Sequence, residues 1–164
     1  MSDNDDDRGA AIVDPKIRRF FQYWREKRGI CRYPGRAALD PIEFGYVLGD
    51  VVLIEVRPPD PAGGARWHFR YRLIGTNVIA RDGYDLTGKS LDDLPEPEYR
   101  EQIRTTWTRV CETGTLAHAL RDFVLDGRTR RYEAIVLPLA SNGHDIDMLV
   151  SVQRETRAPA RSAA

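Results

Sequence analysis

The sequence predicts an α+β domain, a five-stranded antiparallel sheet with helices over one face, plus an N-terminal amphipathic helix. Three observations carry this. Residues 51–57 (VVLIEVR) and 67–75 (WHFRYRLIG) are β-branched or alternating runs joined by the turn-forming PPDPAGG. Residues 116–125, 130–139 and 146–153 form a second strand-like group, with Asp126-Gly127 and Asn142-Gly143 in the links where antiparallel hairpins need them. Between the groups lies a helical excursion.

Residues 1–13 are expected to be a disordered acidic tail, because the Asp cluster self-repels and buries nothing. The helices of 14–48 come next. Asp14-Pro15 offers an N-cap and a proline at the first helical position. Ile17, Phe20, Phe21 and Trp24 then recur at helical spacing and Gly29 closes the run, with Arg25, Lys27 and Arg28 near the negative end of the helix dipole. Asp40-Pro41 repeats the opening signal for a shorter helix to about Leu48. The main domain spans 49–155. Within it, residues 76–97 carry Asn, Gly, Asp and Pro too often for a long element and predict short turns. After Pro97, Tyr99, Ile103, Trp107 and Val110 share one helix face that ends at Gly114. In the last strand Ile146, Met148, Val150 and Val152 alternate with Asp147, Ser151 and Gln153, one side in and one side out. Residues 156–164 are expected to be a second disordered tail.

Composition excludes several function classes. Acidic and basic residues balance at 25 each among 164, so no global field points to nucleic acid or an anionic membrane. No apolar run approaches a membrane span, and MSDNDDDRG has none of the basic-then-apolar character of a signal peptide. Cys31 and Cys111 lack framework spacing and are expected to be reduced, which suits the cytoplasm.

One segment matches a chemical motif letter for letter. GYDLTGKS (83–90) fits the phosphate-cradling pattern G-x-x-x-x-G-K-[ST]. That chemistry needs a buried strand before the loop and a helix starting at Lys89. Here NVIARD precedes it, prolines at 95 and 97 follow it, and Asp85 would repel the anion. A connector is the expected role, with Gly83 and Gly88 turning the chain, Leu86 and Leu91 entering the core and Lys89 in water.

With the elements placed, the chain resembles a PAS domain, of the bacterial group common in alphaproteobacteria. The resemblance rests on YWREKRG (23–29), LDPIEF (39–44), FRYRLIGT (69–76), GYDLTGKSL (83–91), LPL (137–139) and DMLVSVQ (147–153), and covers roughly 15–155. It implies a stand-alone sensory or interaction role with a small-molecule pocket, output supplied by another protein, and a helix outside the core that signals or dimerises. Strand alternation and the helix stripe give an expected pocket wall of Tyr71, Leu73, Val78, Ile79, Trp107, His118, Phe123 and Tyr132. Ile17, Phe20, Phe21 and Trp24 are the candidate dimer or partner face, with packing on the chain's own sheet as the equal alternative.

Bound groups are disfavoured in turn. His68, His118 and His144 have no ligand-spaced companions, so no metal site is expected. The helix that commonly supplies a haem ligand in such domains, 98–113, has no histidine. The N-C-R-F motif of flavin photosensors is absent, and a nucleotide triphosphate falls with the loop. Arg70 and Arg72 are expected on a solvated face, not on nucleic acid. No catalytic constellation is found, so the chain is not expected to be an enzyme. The alternatives are a ligand-free homodimeric adaptor and, further off, a small enzyme pairing a pocket Asp with Tyr71 or Tyr132.

Overall fold

A computed structural model describes residues 3–125 and 127–156, without the side chains of 3–6, Phe123 and Leu125. The expected tail at 156–164 lies almost wholly outside the described residues. In chain order the elements are α1 (Asp3–Ala10), α2 (Pro15–Arg28), β1 (Val51–Arg57), β2 (His68–Ile74), α3 (Thr76–Asp82), α4 (Pro97–Thr113), β3 (Ala117–Leu125), β4 (Arg128–Leu139) and β5 (Met148–Thr156). Short 3₁₀ segments occupy Arg36–Ala38, Gly45–Asp50 and Leu91–Asp93. The five strands form one antiparallel sheet in the order β2-β1-β5-β4-β3. Among the described residues no helix is long and apolar enough to cross a membrane.

Both faces of this sheet are covered. Alternation sends Val51 and Leu53, Ile135, Leu137 and Leu139, and Val150 and Val152 to one side, where they meet α2. It sends Val52, Ile54, Val136 and Leu149 to the other, where α3, α4 and the 83–94 segment pack. α2 begins as its sequence dictates: Asp14 is extended and its carboxylate accepts from the N–H groups of Lys16 and Ile17. Ile17, Phe20, Phe21 and Trp24 are all buried, and the Trp24 indole N–H donates to the Pro138 carbonyl at 3.0 Å. Of the two equal expectations for this stripe, packing on the chain's own sheet is the one these contacts match, and the stripe is part of the core. The sheet face that takes it is built mostly from β4 and β5, far along the chain, so a long-range contact and not a local one decides where the stripe goes.

Three other expectations change. The acidic tail expected at 1–13 contains α1, which docks through its apolar end: Gly9 lies against the Phe21 ring so closely that a Cβ would sit 2.4 Å from it. Ile12 is buried, and Arg8 donates to the Leu116 carbonyl at 2.8 Å. The helix expected from Asp40 to Leu48 is a turn followed by the 3₁₀ segment, in which Gly45 and Gly49 disfavour a regular α-helix. The 83–90 connector does more than turn. The Tyr71 N–H donates to the Lys89 carbonyl at 2.9 Å and the Gly88 N–H to the Tyr71 carbonyl at 2.7 Å, so it covers the outer edge of β2.

Glu133 anchors α2. None of its surface is exposed, and its two oxygens accept the N–H groups of Val13 and Asp14 at 2.7 and 2.6 Å. Trp24→Ser should lower unfolding stability by about 3–5 kcal/mol, read as a lower urea midpoint, because it empties a packed site. A folded protein of wild-type stability but altered mass would contradict this placement. Glu133→Ala should cost roughly 1–3 kcal/mol and speed amide exchange at residues 13–17, since the N–H groups of Val13 and Asp14 lose their acceptor; unchanged exchange there would show that the anchor is idle.

Candidate functional site

The hollow lies on the α4 side of the sheet and has a volume of about 270 Å³. It exists because its floor is made of small side chains. Ala119 and Ala134 sit opposite each other across β3 and β4, with Ala117 two residues along on the same face and Ser151 on the adjacent strand. The walls are large. Tyr99, Ile103 and Trp107 descend from α4, Tyr71 and Ile74 rise from β2, and Leu86 and Leu94 close one end. The Trp107 ring is fixed edge-on against both Phe69 and Tyr71, at centroid distances of 5.4 and 5.6 Å.

Polar groups gather on one side. Arg81, in the last turn of α3, donates to both oxygens of Asp82 at 2.8 and 3.3 Å and to Gln153 Oε1 at 2.6 Å, with its guanidinium 4.7 Å from the centre of the Tyr132 ring. Tyr84 donates its hydroxyl to Glu96 at 2.9 Å. Asp82, Tyr84, Tyr99, Arg121 and Tyr132 also line an outer, shallower hollow, so the apolar interior opens into a polar mouth. Burial pushes the Tyr71 phenol well above its usual range, with Tyr84 and Asp82 adding to it, and does the same to Tyr99. Both hydroxyls stay neutral donors. Asp82, the carboxylate of the cavity wall, accepts two hydrogen bonds from Arg81.

Of the eight expected wall residues, Tyr71, Val78, Trp107, His118 and Tyr132 border the cavity. His118 does so from an unexpected side. Its Nε2 lies 2.6 Å from Glu133 Oε1, so the imidazole serves the α2 face. Leu73 is 36% exposed and lies off the wall. A bulge explains it: Leu53 pairs with Leu73 but Ile54 pairs with Tyr71, so Arg72 is the extra residue and the alternation slips. Ile74 takes the place Leu73 was expected to hold. Ile79 is off the wall because α3 turns Val78 and Asp82, four residues apart, to the cavity. Phe123 pairs with Arg130, and its side chain lies outside the described residues.

The sequence reading missed Ser151, Gln153, Asp82 and the floor alanines. One signal was present: the polar residues of β5 alternate on a central strand, and their side is the cavity, not solvent. The histidines do not converge. His144 pairs with Asp145, and among the described residues no three groups meet that could hold a metal.

The profile of a family described as "PAS domain" matches residues 13–152. Solved structures of similar fold include the PAS domain of Bordetella pertussis BvgS, 19% identical, covering 73% of this chain and 89% of that one with a TM-score of 0.48. The Rhodobacter sphaeroides LOV protein is 12% identical, over 76% of this chain and 73% of its own, with a TM-score of 0.46. A PAS domain from Colwellia psychrerythraea is 14% identical, over 71% and 98%, with a TM-score of 0.42. No curated protein matches the chain.

The two thiols should behave differently. Burial, with Glu112 adding, pushes Cys111 up to about 12, whereas Cys31 is exposed. Iodoacetamide at pH 8 should label Cys31 in the native protein and leave Cys111 until the chain is unfolded, read by peptide mass spectrometry. Labelling of both at equal rates would mean that α4 does not seat as described.

Proposed function

The chain belongs to the PAS domain family, and on that premise we propose that it is a sensory module that binds one small, largely apolar ligand and reports to a protein partner. The observation that carries this reading is the hollow of about 270 Å³ between sheet and α4. A core packed for stability alone would fill such a space, since interiors close to near-crystal density. Here Ala119 faces Ala134 on the floor beneath a ring of fixed aromatics, and the few polar groups stand to one side. That division is what a ligand site needs: apolar area for affinity and sparse hydrogen bonds for orientation.

The output is proposed to come from a partner protein and the compartment to be the cytoplasm. A homodimer, where it forms, would use a surface other than the α2 stripe, because those side chains are in the core. PAS domains are sensory and regulatory modules in general, and the cavity chemistry supports binding over turnover.

The test is to fill the floor. A neutral arylalkanol, 4-phenyl-1-butanol, should bind the wild-type protein in calorimetry. Ala134→Leu should weaken it by about tenfold or more, the loss expected when several apolar contacts are blocked. The variant should melt no lower than wild type. Equal binding by the two proteins would remove the cavity as the site.

A further inference from the structure

Charges along the seam between α4 and β3 say what kind of ligand the hollow would take. Arg121 on β3 and Arg109 on α4 both line the cavity. Arg121 follows Ala117 and Ala119 on the same face of the strand, so the small-residue floor ends at its guanidinium. Its side chain donates to Gln102 of α4, a neutral amide. Among the described residues neither arginine has a carboxylate partner. The carboxylates of the mouth are otherwise engaged. Asp82 is held by Arg81, Asp122 accepts two bonds from Arg131 at 2.7 and 3.1 Å, and Glu96 accepts from Tyr84.

A pocket of this build sorts ligands by where their charge lies. An ionised group cannot enter the Trp107 end, where it would lose water and find no partner. A cation at the seam would meet the Arg121 guanidinium and, about two helical turns along α4 from Gln102, the field of Arg109, neither neutralised by a carboxylate among the described residues. A carboxylate there would meet them favourably, and a guanidinium offers it paired N–H donors. Resting on the reading of the hollow as a ligand site, we propose that its ligand is a small monocarboxylic acid with an apolar, preferably aromatic, body. The body lies over Ala119 and Ala134 against Trp107, and the carboxylate stays at the seam on Arg121, with Arg109 adding to the positive field.

The experiment compares 4-phenylbutyrate with 4-phenyl-1-butanol, two probes of one body with and without the charge, by calorimetry on the whole chain at pH 7.5. The acid should bind roughly tenfold or more tightly, the increment of a charge-assisted contact over a neutral one. Arg121→Gln should bring the two probes to near-equal affinity, and Arg109→Gln should narrow the gap part of the way. Added salt should reduce the preference and leave the alcohol unaffected. Equal affinities in the wild-type protein would overturn the carboxylate assignment and leave the hollow standing as a ligand site. A preference that survives Arg121→Gln would overturn the assignment of the head to β3. Failure of both probes at millimolar concentration would overturn the assignment and the ligand site together.

Discussion

The buried carboxylate of Glu133 is the constraint on which the arrangement depends. It projects from β4 on the α2 side, fully covered, and holds the N–H groups of the two residues that open α2. A buried carboxyl group in that position needs hydrogen-bond partners, and Val13, Asp14 and His118 supply three. The helix start is thereby pinned to the sheet at one register. Asp14 extends the attachment, because its other carboxylate oxygen accepts from Arg154 Nε at 3.1 Å. Arg154 also reaches Asp50, which holds Asn77 of α3 at 2.9 Å. One polar chain therefore runs from the helix beneath the sheet to a helix on the cavity wall.

That anchoring explains how the other face can remain hollow. A five-stranded sheet must bury apolar area somewhere, and Phe20, Phe21 and Trp24 supply it on the α2 side with rings that pack on one another and on Phe44. With stability drawn from that layer, the opposite layer carries alanines and a serine where close packing would place leucines. The cavity persists because its surroundings are stiff. Trp107 is wedged between two aromatic edges, Arg81 is fixed by three hydrogen bonds, and the floor spans three mutually paired strands, β3, β4 and β5. The division of labour between the two faces is a property of the alternation in each strand.

Most of the fold was legible because alternation and capping are local. Asp14-Pro15, the spacing of Ile17 to Trp24 and the Tyr99-to-Val110 face each named a helix within one or two residues of its ends, and the five strands were equally plain. What was hidden depends on partners far along the chain. Nothing local to Leu73 says that Arg72 will bulge, because the bulge is defined by pairing with β1. The face of α2 could not be assigned, since an apolar stripe looks the same whether it meets its own sheet or another molecule. α1 is misread for a related reason: its acidic composition is visible, but the pocket that Phe21 and Leu116 make for its C-terminal end is not. Floor residues are the hardest. An alanine that makes room looks like any other alanine until the opposite one is known.

The GYDLTGKS segment shows why a motif without its setting carries no chemistry. A phosphate loop works by leaving its backbone N–H groups free and aimed at one point. Here each N–H from Thr87 to Ser90 is already used. Thr87 donates to Asp85 Oδ1 at 2.9 Å, Gly88 to the Tyr71 carbonyl at 2.7 Å, Lys89 to the Leu86 carbonyl at 2.8 Å and Ser90 to Asp93 Oδ2 at 3.0 Å. A phosphate arriving at this loop would find two carboxylates and no donor among those four. The glycines serve the same end. Gly83 and Gly88 adopt φ of 83° and 81°, which closes α3 and then turns the chain back along β2. The second turn holds the backbone of Tyr71 from its outer side, and Tyr71 is the residue that braces Trp107 over the hollow. The segment therefore contributes to the site after all, as a brace behind its wall.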